Sequence, residues 1–191
     1  MTLHIGIDID DTLYSFIDIL RPYLNEFTWQ NIQFNEITSF RLSDTWNLQI
    51  EDVKEIVRKN DLYNIWSISQ DIIKKIKWFE EKWHKVSFVT SIFLYNNYNT
   101  EIYTKNFLLQ HGLHYPLIFS DNKWITCKEL DINLFIDDWL HNLKSIILHS
   151  PTTKCFSIEK PWNWDREINR IWLSEVELSK ITKISSLLEI D

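Results

Sequence analysis

Residues 3–13 read Leu-His-Ile-Gly-Ile-Asp-Ile-Asp-Asp-Thr-Leu, a short apolar run that ends in three aspartates and a threonine. The run has the length and composition of a strand in a parallel sheet that is covered on both faces. Open α/β sheets carry their chemistry just beyond the carboxyl ends of the strands, where Asp8, Asp10 and Asp11 fall. These acids repel one another unless a cation joins them. Oxygen ligands with no nearby Cys or His favour Mg²⁺ over zinc.

Two interpretations of this stretch stay open at this point. An acidic turn can simply cap backbone amides, and Asp-x-Asp alone is a weak sign of chemistry. Alternatively, a carboxylate beside Mg²⁺ stays ionised and can attack an electrophile such as phosphorus. The rest of the chain has to decide between them.

Composition narrows the class of protein. A net charge of −7 argues against a general nucleic-acid binder, so no stable nucleic-acid partner is expected. Only two glycines are present, which excludes a glycine-rich phosphate loop. Cys127 and Cys155 are too few for a disulfide framework and fit reduced thiols. We find no signal peptide and no apolar run of about 20 residues. We therefore expect a cytoplasmic protein without a membrane partner.

The chain after residue 13 changes to helical spacing of its apolar residues. One helix is predicted from Phe16 to Phe27 and another from Ile50 to Lys59. Between them the sequence is polar with scattered aromatic residues. We interpret residues 15–70 as a mostly helical cap inserted after the first strand.

The remainder alternates between helix and strand. Helices are predicted over 72–83, 100–110 and 126–130 and through Ile147. A last one, either continuous or broken in two, is predicted from Glu167 to Leu188. Strands are predicted over 85–89, 116–119, 133–136 and 154–158. This alternation predicts an α/β fold with a three-layer, Rossmann-like parallel sheet. Its core would comprise residues 1–14 and 71–191.

Polar residues follow four of the predicted strands. Because parallel strands end at one edge of a sheet, these residues are expected to converge. Together they would supply a nucleophile, an acid–base group, hydroxyls, a cation and metal ligands, which suits phosphoryl transfer. They are Asp8 and Asp10, Thr90 and Ser91, Lys123, and Asp137 and Asp138.

The order of these segments resembles the haloacid-dehalogenase superfamily of phosphohydrolases. The segments read Ile-Gly-Ile-Asp8-Ile-Asp10-Asp11-Thr12, Ser-Phe-Val-Thr90-Ser91, Lys123 and Leu-Phe-Ile-Asp137-Asp138. Within it the chain looks most like the 5'(3')-deoxyribonucleotidases and their bacterial and phage relatives. Further pointers are Phe-Val-Thr-Ser at 88–91, Lys123-x3-Cys127-x-Glu129-Leu130 and Pro161-Trp162-Asn163. One departure is Asp11, where Gly is usual.

The resemblance implies a role for each acid. Asp8 would attack phosphorus and form an aspartyl-phosphate, and Asp10 would protonate the leaving oxygen and then deprotonate water. Mg²⁺ would be held by Asp8, Asp138 and the backbone carbonyl of Asp10, with Asp137 acting through water or from behind. The simple alternative for Asp137 and Asp138 is capping of the next helix, although one cap needs only one acid.

The same resemblance implies that Thr90, Ser91 and Lys123 bind the phosphate oxygens. A threonine at a strand end often bonds only to backbone, and a lysine is often just a solvated charge. Lys128 is the rival cation. We favour Lys123 because Lys128 falls on the predicted helix that follows.

Aromatic residues in and beside the cap are candidates for stacking on a nucleobase, a contact worth roughly 1–3 kcal/mol per base. Most Trp residues pack in cores instead, so each stays an open question. The candidates are Trp29, Phe40, Trp46 and Trp66, with Trp162 and Asn163 as further positions.

The favoured function is therefore Mg²⁺-dependent hydrolysis of a nucleoside monophosphate, with a deoxyribonucleotide preferred. A phosphatase for another small ester or a polynucleotide 3' phosphate is the first alternative. A nucleotide-binding relative that has lost catalysis is the second. The resemblance also suggests a homodimer, although nothing in the chain itself shows one.

Overall fold

In the computed structural model, the apolar run near the N-terminus forms strand β1 (His4–Ile7) in the middle of a six-stranded sheet. The structure describes residues 2–62, 65, 67–91 and 99–191. Every neighbouring pair of strands is parallel, in the order β3-β2-β1-β4-β5-β6. The other strands are β2 (Lys85–Thr90), β3 (Leu117–Phe119), β4 (Leu134–Asp137), β5 (Lys154–Ile158) and β6 (Ile181–Ile184).

Helices connect these strands. Between β1 and β2 lie α1 (Phe16–Thr28), α2 (Leu42–Trp46), α3 (Ile50–Lys59) and α4 (Gln70–Glu81), with a 3-10 turn at Phe34–Glu36. Later in the chain come α5 (Asn99–Gln110), α6 (Lys123–Glu129), α7 (Leu140–His149), α8 (Trp164–Arg170) and α9 (Glu175–Leu178), with a 3-10 turn at Leu187–Glu189. Among the described residues, none of the helices combines the length and apolar character needed to cross a membrane.

Apolar residues cover both faces of the sheet, which confirms the predicted three-layer α/β architecture. Neighbouring strand residues point to opposite faces. Phe88 and Ile136 join one apolar cluster, with residues of α1, α3, α4 and α5. Val89 and Phe135 join a second cluster with residues of α6 and α7. A sheet buried on both faces explains why its strands read as continuous apolar runs.

The segment between β1 and α4 is helical, as its apolar spacing predicts. Its buried residues, such as Leu20, Leu24 and Val53, belong to the same apolar cluster as Ile5 and Ile7 of β1. The helices therefore pack continuously onto one side of the sheet. The division into a core of 1–14 and 71–191 and a cap of 15–70 stays a prediction.

The predicted last helix, from Glu167 to Leu188, is broken in two, as one alternative had it, and the prediction is wrong beyond Leu178, where the chain forms a strand. The chain leaves the helical path at Trp172, which has φ 57°, and starts again at α9, where Ser174 and Glu177 form a capping box. It then forms strand β6, in which Ile181 pairs with Cys155 and both Ile181 and Ile184 are buried. Pairing with the open edge of β5 decides this conformation, and that edge is distant in sequence.

The strand order reverses direction at β1, since β2 and β3 lie on one side and β4 to β6 on the other. In open parallel sheets the crevice at such a reversal, beyond the carboxyl ends of the strands, is where ligands bind. Asp8 follows β1 and Asp137 ends β4. The topology therefore brings these acids to the binding crevice of the sheet.

Gly6 is required where β1 and β4 lie side by side. A Cβ at this position would lie 2.6 Å from Cδ2 of Phe135 and 3.0 Å from Cδ1 of Ile132. The Phe135 side chain is fully buried and has no room to move aside. Any side chain at this position beside the site therefore strains the packing of β1 against β4.

Gly6→Ala is expected to lower the free energy of unfolding by about 1–3 kcal/mol, because the added methyl overpacks the sheet. Urea denaturation followed by circular dichroism measures this change. Gly6→Ala combined with Phe135→Leu should recover part of the loss, because the smaller side chain makes room. An unchanged unfolding midpoint in Gly6→Ala would contradict the close approach.

Candidate active site

A tight turn at the end of β1 presents the first acids. The Asp8 amide donates to Ile136 O at 2.9 Å, and the Leu13 amide donates to Ile9 O at 2.9 Å. Asp11 lies in the left-handed region with φ 57°, where Gly is favoured but Asp is tolerated. The turn therefore accommodates the aspartate that replaces the usual glycine.

Three buried carboxylates form the centre of the site. One carboxylate oxygen from each of Asp8, Asp137 and Asp138 lies within 4.8 Å of the others. Lys123 Nζ donates to Asp8 Oδ1 at 2.5 Å and to Asp137 Oδ2 at 2.8 Å. Lys123 is itself only 3% exposed, so this ammonium group is buried between the ends of β1 and β4.

Burial shifts the pKa values of these charged groups. It raises the pKa of Asp8 to about 8, although Lys123 opposes the shift, and it raises the pKa of Asp138 well above its usual range. Burial alone would lower the pKa of Lys123, but Asp137 and Asp8 raise it. One ammonium does not compensate three carboxylates, so the cluster favours an additional positive charge.

The acids differ in how many hydrogen bonds they already accept from protein donors. Asp137 accepts from Lys123, from the Trp139 amide at 2.8 Å and from Asn142 Nδ2 at 2.9 Å. Asp138 Oδ2 accepts from Trp162 Nε1 at 3.2 Å. Asp138 thus keeps more coordinating capacity than Asp137. A set of hard oxygen donors with excess negative charge fits Mg²⁺.

The remaining polar strand-end residues lie around a small cavity. It is lined by Asp10, Thr90 and Ser91, together with Ile9, Thr100, Thr104 and Phe119. Burial raises the pKa of Asp10, and hydrogen bonding by Tyr14 and the charge of Lys123 oppose this rise. Ser91 Oγ donates to Ser120 O at 3.3 Å, which joins the ends of β2 and β3. Strand ends that are far apart in sequence therefore contribute to one edge.

Solved structures of similar architecture share this arrangement of strands and helices. A haloacid-dehalogenase-like family hydrolase, SP0104 from Streptococcus pneumoniae, superposes with a TM-score of 0.57 over 95% of this chain and 93% of its own, at 10% identity. A predicted phosphatase from Clostridium acetobutylicum gives 0.60 over 96% and 94%, also at 10% identity. The chain has the haloacid-dehalogenase-like fold.

Sequence comparison finds a relative of higher but still low identity. No family model matches the chain. A Bacillus subtilis (strain 168) protein named "Putative nucleotidase YqfW" is 26% identical over 185 residues, which is 92% of each chain. This similarity extends along nearly the whole haloacid-dehalogenase-like fold.

The cation of the site is Lys123. Helix α6 begins at Lys123, three residues before the predicted start at Thr126. Lys123 therefore occupies the first helical position and extends towards the acids. Lys128, the rival, is exposed on the same helix. Lys123, and not Lys128, therefore contacts the acids, as the predicted position of the two lysines had favoured.

The aromatic candidates have different environments. Phe40 stacks on Trp139, with ring centroids 4.5 Å apart and planes 8° apart, beside Asp138. Trp29 is 96% exposed at the end of α1. Trp46 is 1% exposed, and its Nε1 donates to Asn25 Oδ1 at 2.9 Å. Of the two alternatives left open for Trp46, the structure therefore supports packing in the core, since its burial leaves no face for a ligand.

Trp66 and Asn163 are two further candidate positions. Trp66 lies outside the described residues. Asn163 is fully buried, and its Nδ2 donates to the backbone oxygens of Asp138 at 2.9 Å and Ile158 at 2.7 Å. It therefore holds the loop after β4, as Trp162 holds the Asp138 carboxylate.

Several residues that support the site were not predicted from the sequence. Tyr14 donates to Asp10, and Lys160 Nζ lies 3.8 Å from Asp11 Oδ1. Asn142 donates to Asp137 as described above. Lys160 follows β5, so its position after a strand was an available signal. Tyr14 and Asn142 carry no such signal in the sequence, because the role of each depends on a hydrogen-bond partner that only the folded structure reveals.

Glu167 is another missed residue, and it holds the loop that carries Asp137 and Asp138. Its buried carboxyl group lies near the Trp139 side chain and the Leu140 backbone, at the start of α7, and its Oε2 has no hydrogen-bond partner among the described residues. Burial raises its pKa to about 7, and the nearby Trp139 and Leu140 donor groups oppose the shift. Glu167 therefore connects α8 to the base of the site.

Glu167→Gln is expected to flatten the pH dependence of stability. Between about pH 4.5 and 7, Glu167 ionises in the unfolded chain but stays protonated in the folded protein. The free energy of unfolding of the natural protein therefore falls across this range, by about 3 kcal/mol from this group. Urea denaturation at pH 5 and pH 7.5 should show a smaller fall in Glu167→Gln. Equal falls in both proteins would contradict the shifted pKa.

Mg²⁺ is expected to stabilise the protein through the carboxylate cluster. At about 100 times its Kd, the ion should raise Tm by roughly 5–10 °C over a sample in EDTA. Asp138→Asn should remove most of this rise, whereas Asp121→Asn, which changes an exposed aspartate, should retain it. Differential scanning calorimetry measures the shifts. A full rise in Asp138→Asn would exclude Asp138 as a ligand.

Proposed function

We propose that the protein is a Mg²⁺-dependent phosphohydrolase that removes phosphate from a nucleoside monophosphate, with deoxyribonucleotides preferred. The observation that carries the proposal is the contact of Lys123 with both Asp8 and Asp137, with Asp138 beside them. This cluster lies beyond the central strands of a haloacid-dehalogenase-like fold. Acids and a buried cation at the binding crevice suit the transfer of a charged phosphoryl group.

Asp8 is the proposed nucleophile. One of its carboxylate oxygens forms a bond to phosphorus while the bond from phosphorus to the ester oxygen breaks. Water then attacks phosphorus, the bond to Asp8 breaks, and inorganic phosphate leaves. Lys123 donates to Oδ1 and Thr12 Oγ1 donates to Oδ2 at 3.4 Å, so both oxygens are held in place before substrate arrives.

Asp10 is the proposed acid–base group. It gives a proton to the departing ester oxygen and takes one from the attacking water. Its place beside Thr90 and Ser91 in one small cavity supports this role, because those hydroxyls can donate to the phosphate oxygens. The proton taken in the second step restores Asp10 for the next cycle.

A divalent ion held by Asp8, Asp138 and the Asp10 carbonyl would offset the repulsion between the acids and an anionic substrate. Asp137 would not bind the ion directly, because its oxygens already accept hydrogen bonds from three protein donors. It would instead support the residues that do. Lys123 keeps its positive charge throughout, since its raised pKa favours the ammonium form. Its charge thus remains available to the phosphoryl group.

Two observations support a nucleotide as substrate. The Bacillus subtilis relative carries the name of a nucleotidase. Phe40 stacks in parallel on Trp139, the residue that follows Asp138 in the chain. Flat aromatic surfaces of this kind suit nucleobases. Trp29 stays a proposed contact on the cap. Whether or not these aromatic residues contact a base, the proposed partner is a small phosphate ester.

A panel of phosphate esters with Mg²⁺ or with EDTA tests the proposal. It should include deoxyribonucleoside and ribonucleoside monophosphates with 5' or 3' phosphates, sugar phosphates, and an oligonucleotide with a 3' phosphate. We expect the highest kcat/KM for a deoxyribonucleoside monophosphate and no activity in EDTA. Equal rates with sugar phosphates would contradict a nucleotide substrate. Tight nucleotide binding without phosphate release would indicate a protein that binds but does not catalyse.

Asp8→Asn is expected to reduce turnover of the best substrate by ~10³-fold or more, because the amide is a poor nucleophile. Phosphate release measures the loss, and circular dichroism checks the fold. Asp121→Asn, in an exposed loop, serves as the control and should keep full activity. Retention of most activity in Asp8→Asn would rule out Asp8 as the nucleophile.

A further inference from the structure

A tyrosine hydroxyl is hydrogen-bonded to the proposed acid–base group. Tyr14 Oη donates to Asp10 Oδ1, across the turn that follows β1. The backbones of the two residues also form an isolated parallel bridge. Both the side chains and the backbones of Asp10 and Tyr14 are therefore held against each other.

Aromatic packing fixes the Tyr14 ring. The side chain is 7% exposed, and its ring meets Phe107 of α5 edge-on, with centroids 5.3 Å apart and planes at 67°. Phe16 makes a second edge contact at 6.5 Å and 87°. Edge-to-face contacts of this kind are specific in direction. The hydroxyl group therefore cannot leave Asp10 without disturbing the packing between α1 and α5.

This hydrogen bond determines which oxygen of Asp10 can carry a proton. Because Oδ1 accepts from Tyr14, a protonated Asp10 has its own proton on Oδ2. Turning the carboxyl group over would require the tyrosine hydroxyl to accept a hydrogen bond from that proton in place of donating its own. A carboxylic acid held in one orientation delivers its proton in one direction.

We propose that Tyr14 is a positioning residue that orients Asp10 for proton transfer to the leaving oxygen. This inference rests on the proposed function. In the first step the bond from phosphorus to the ester oxygen breaks, and that oxygen keeps the electron pair. It takes the proton from Asp10 Oδ2, while Tyr14 keeps its own proton and its bond to Oδ1.

The basicity of the leaving group decides how strongly the reaction depends on an oriented Asp10. A nucleoside leaves as an alkoxide, which is strongly basic and needs the proton as the bond breaks. The p-nitrophenolate ion is a weak base and leaves without one. A defect in orienting Asp10 must therefore slow the first reaction far more than the second. Loss of general structure would slow both.

The experiment compares kcat/KM of the natural protein and Tyr14→Phe with a nucleoside monophosphate and with p-nitrophenyl phosphate, both with Mg²⁺. This ratio covers the steps up to departure of the leaving group, so hydrolysis of the shared phosphoenzyme does not affect it. Tyr14→Phe should lose about 10-fold or more with the nucleotide and less than about 3-fold with the aryl ester. Asp10→Asn should show the same selectivity with larger losses.

Tyr115→Phe is the matched control. Tyr115 Oη donates to Glu80 Oε2 at 2.9 Å, so this variant also removes a tyrosine hydroxyl from a carboxylate, but away from the site. It should change neither rate by more than about 2-fold, since surface hydrogen bonds contribute little. A selective loss in this control would overturn the inference.

Equal losses with both esters in Tyr14→Phe, or no loss with either, would also overturn the inference while leaving the proposed function intact. A natural protein that cleaves neither ester would overturn the proposed function, and the role of Tyr14 with it. Should Tyr14→Phe fail to fold, Phe107→Leu provides the test. It keeps the hydroxyl but loosens the ring, and should show a smaller loss with the same selectivity.

Discussion

The buried ammonium group of Lys123 is the interaction on which the site depends. The strands end inside the molecule, so Asp8 and Asp137 are removed from water, and their negative charges would repel at this distance. Lys123 hydrogen-bonds to both and compensates part of that charge. It does so from the first residue of α6, which thereby ties the ends of β1 and β4 together. Breaking a buried pair of this kind leaves an uncompensated charge, which costs about 3–5 kcal/mol.

A second layer of contacts comes from the segment after β5. Trp162 and Asn163 hold the side chain and the backbone of Asp138, and Glu167 holds the start of α7. The chain therefore uses a third strand end to position the acids of β4. Lys160 from the same segment lies near Asp11 and compensates the extra acid of the first turn. This pairing gives a physical reason why an aspartate is tolerated where the family resemblance leads us to expect glycine.

Local patterns predicted most of the fold. Five of the six strands follow from short apolar runs, and α3 from its spacing of Val53, Ile56 and Val57. Strand β6 escaped prediction because its short segment has no strand-like alternation and takes its conformation from the edge of β5. Whether Trp46 packs in the core or faces a ligand could not be decided from the sequence for a related reason. Exposure of an aromatic residue depends on which elements pack around it, and its neighbours in sequence do not reveal this.

The sequence by itself determined which residue types stand at the strand ends, because periodicity and turn chemistry are written within a few neighbouring residues. It thereby placed Asp8, Asp10, Thr90, Asp137 and Asp138 along the chain. Only the tertiary structure decided that Lys123 and not Lys128 reaches the acids, that Tyr14 binds Asp10, and that Glu167 supports the next loop. Burial, charge compensation and hydrogen-bond partners arise between groups distant in sequence, and folding alone brings those groups together.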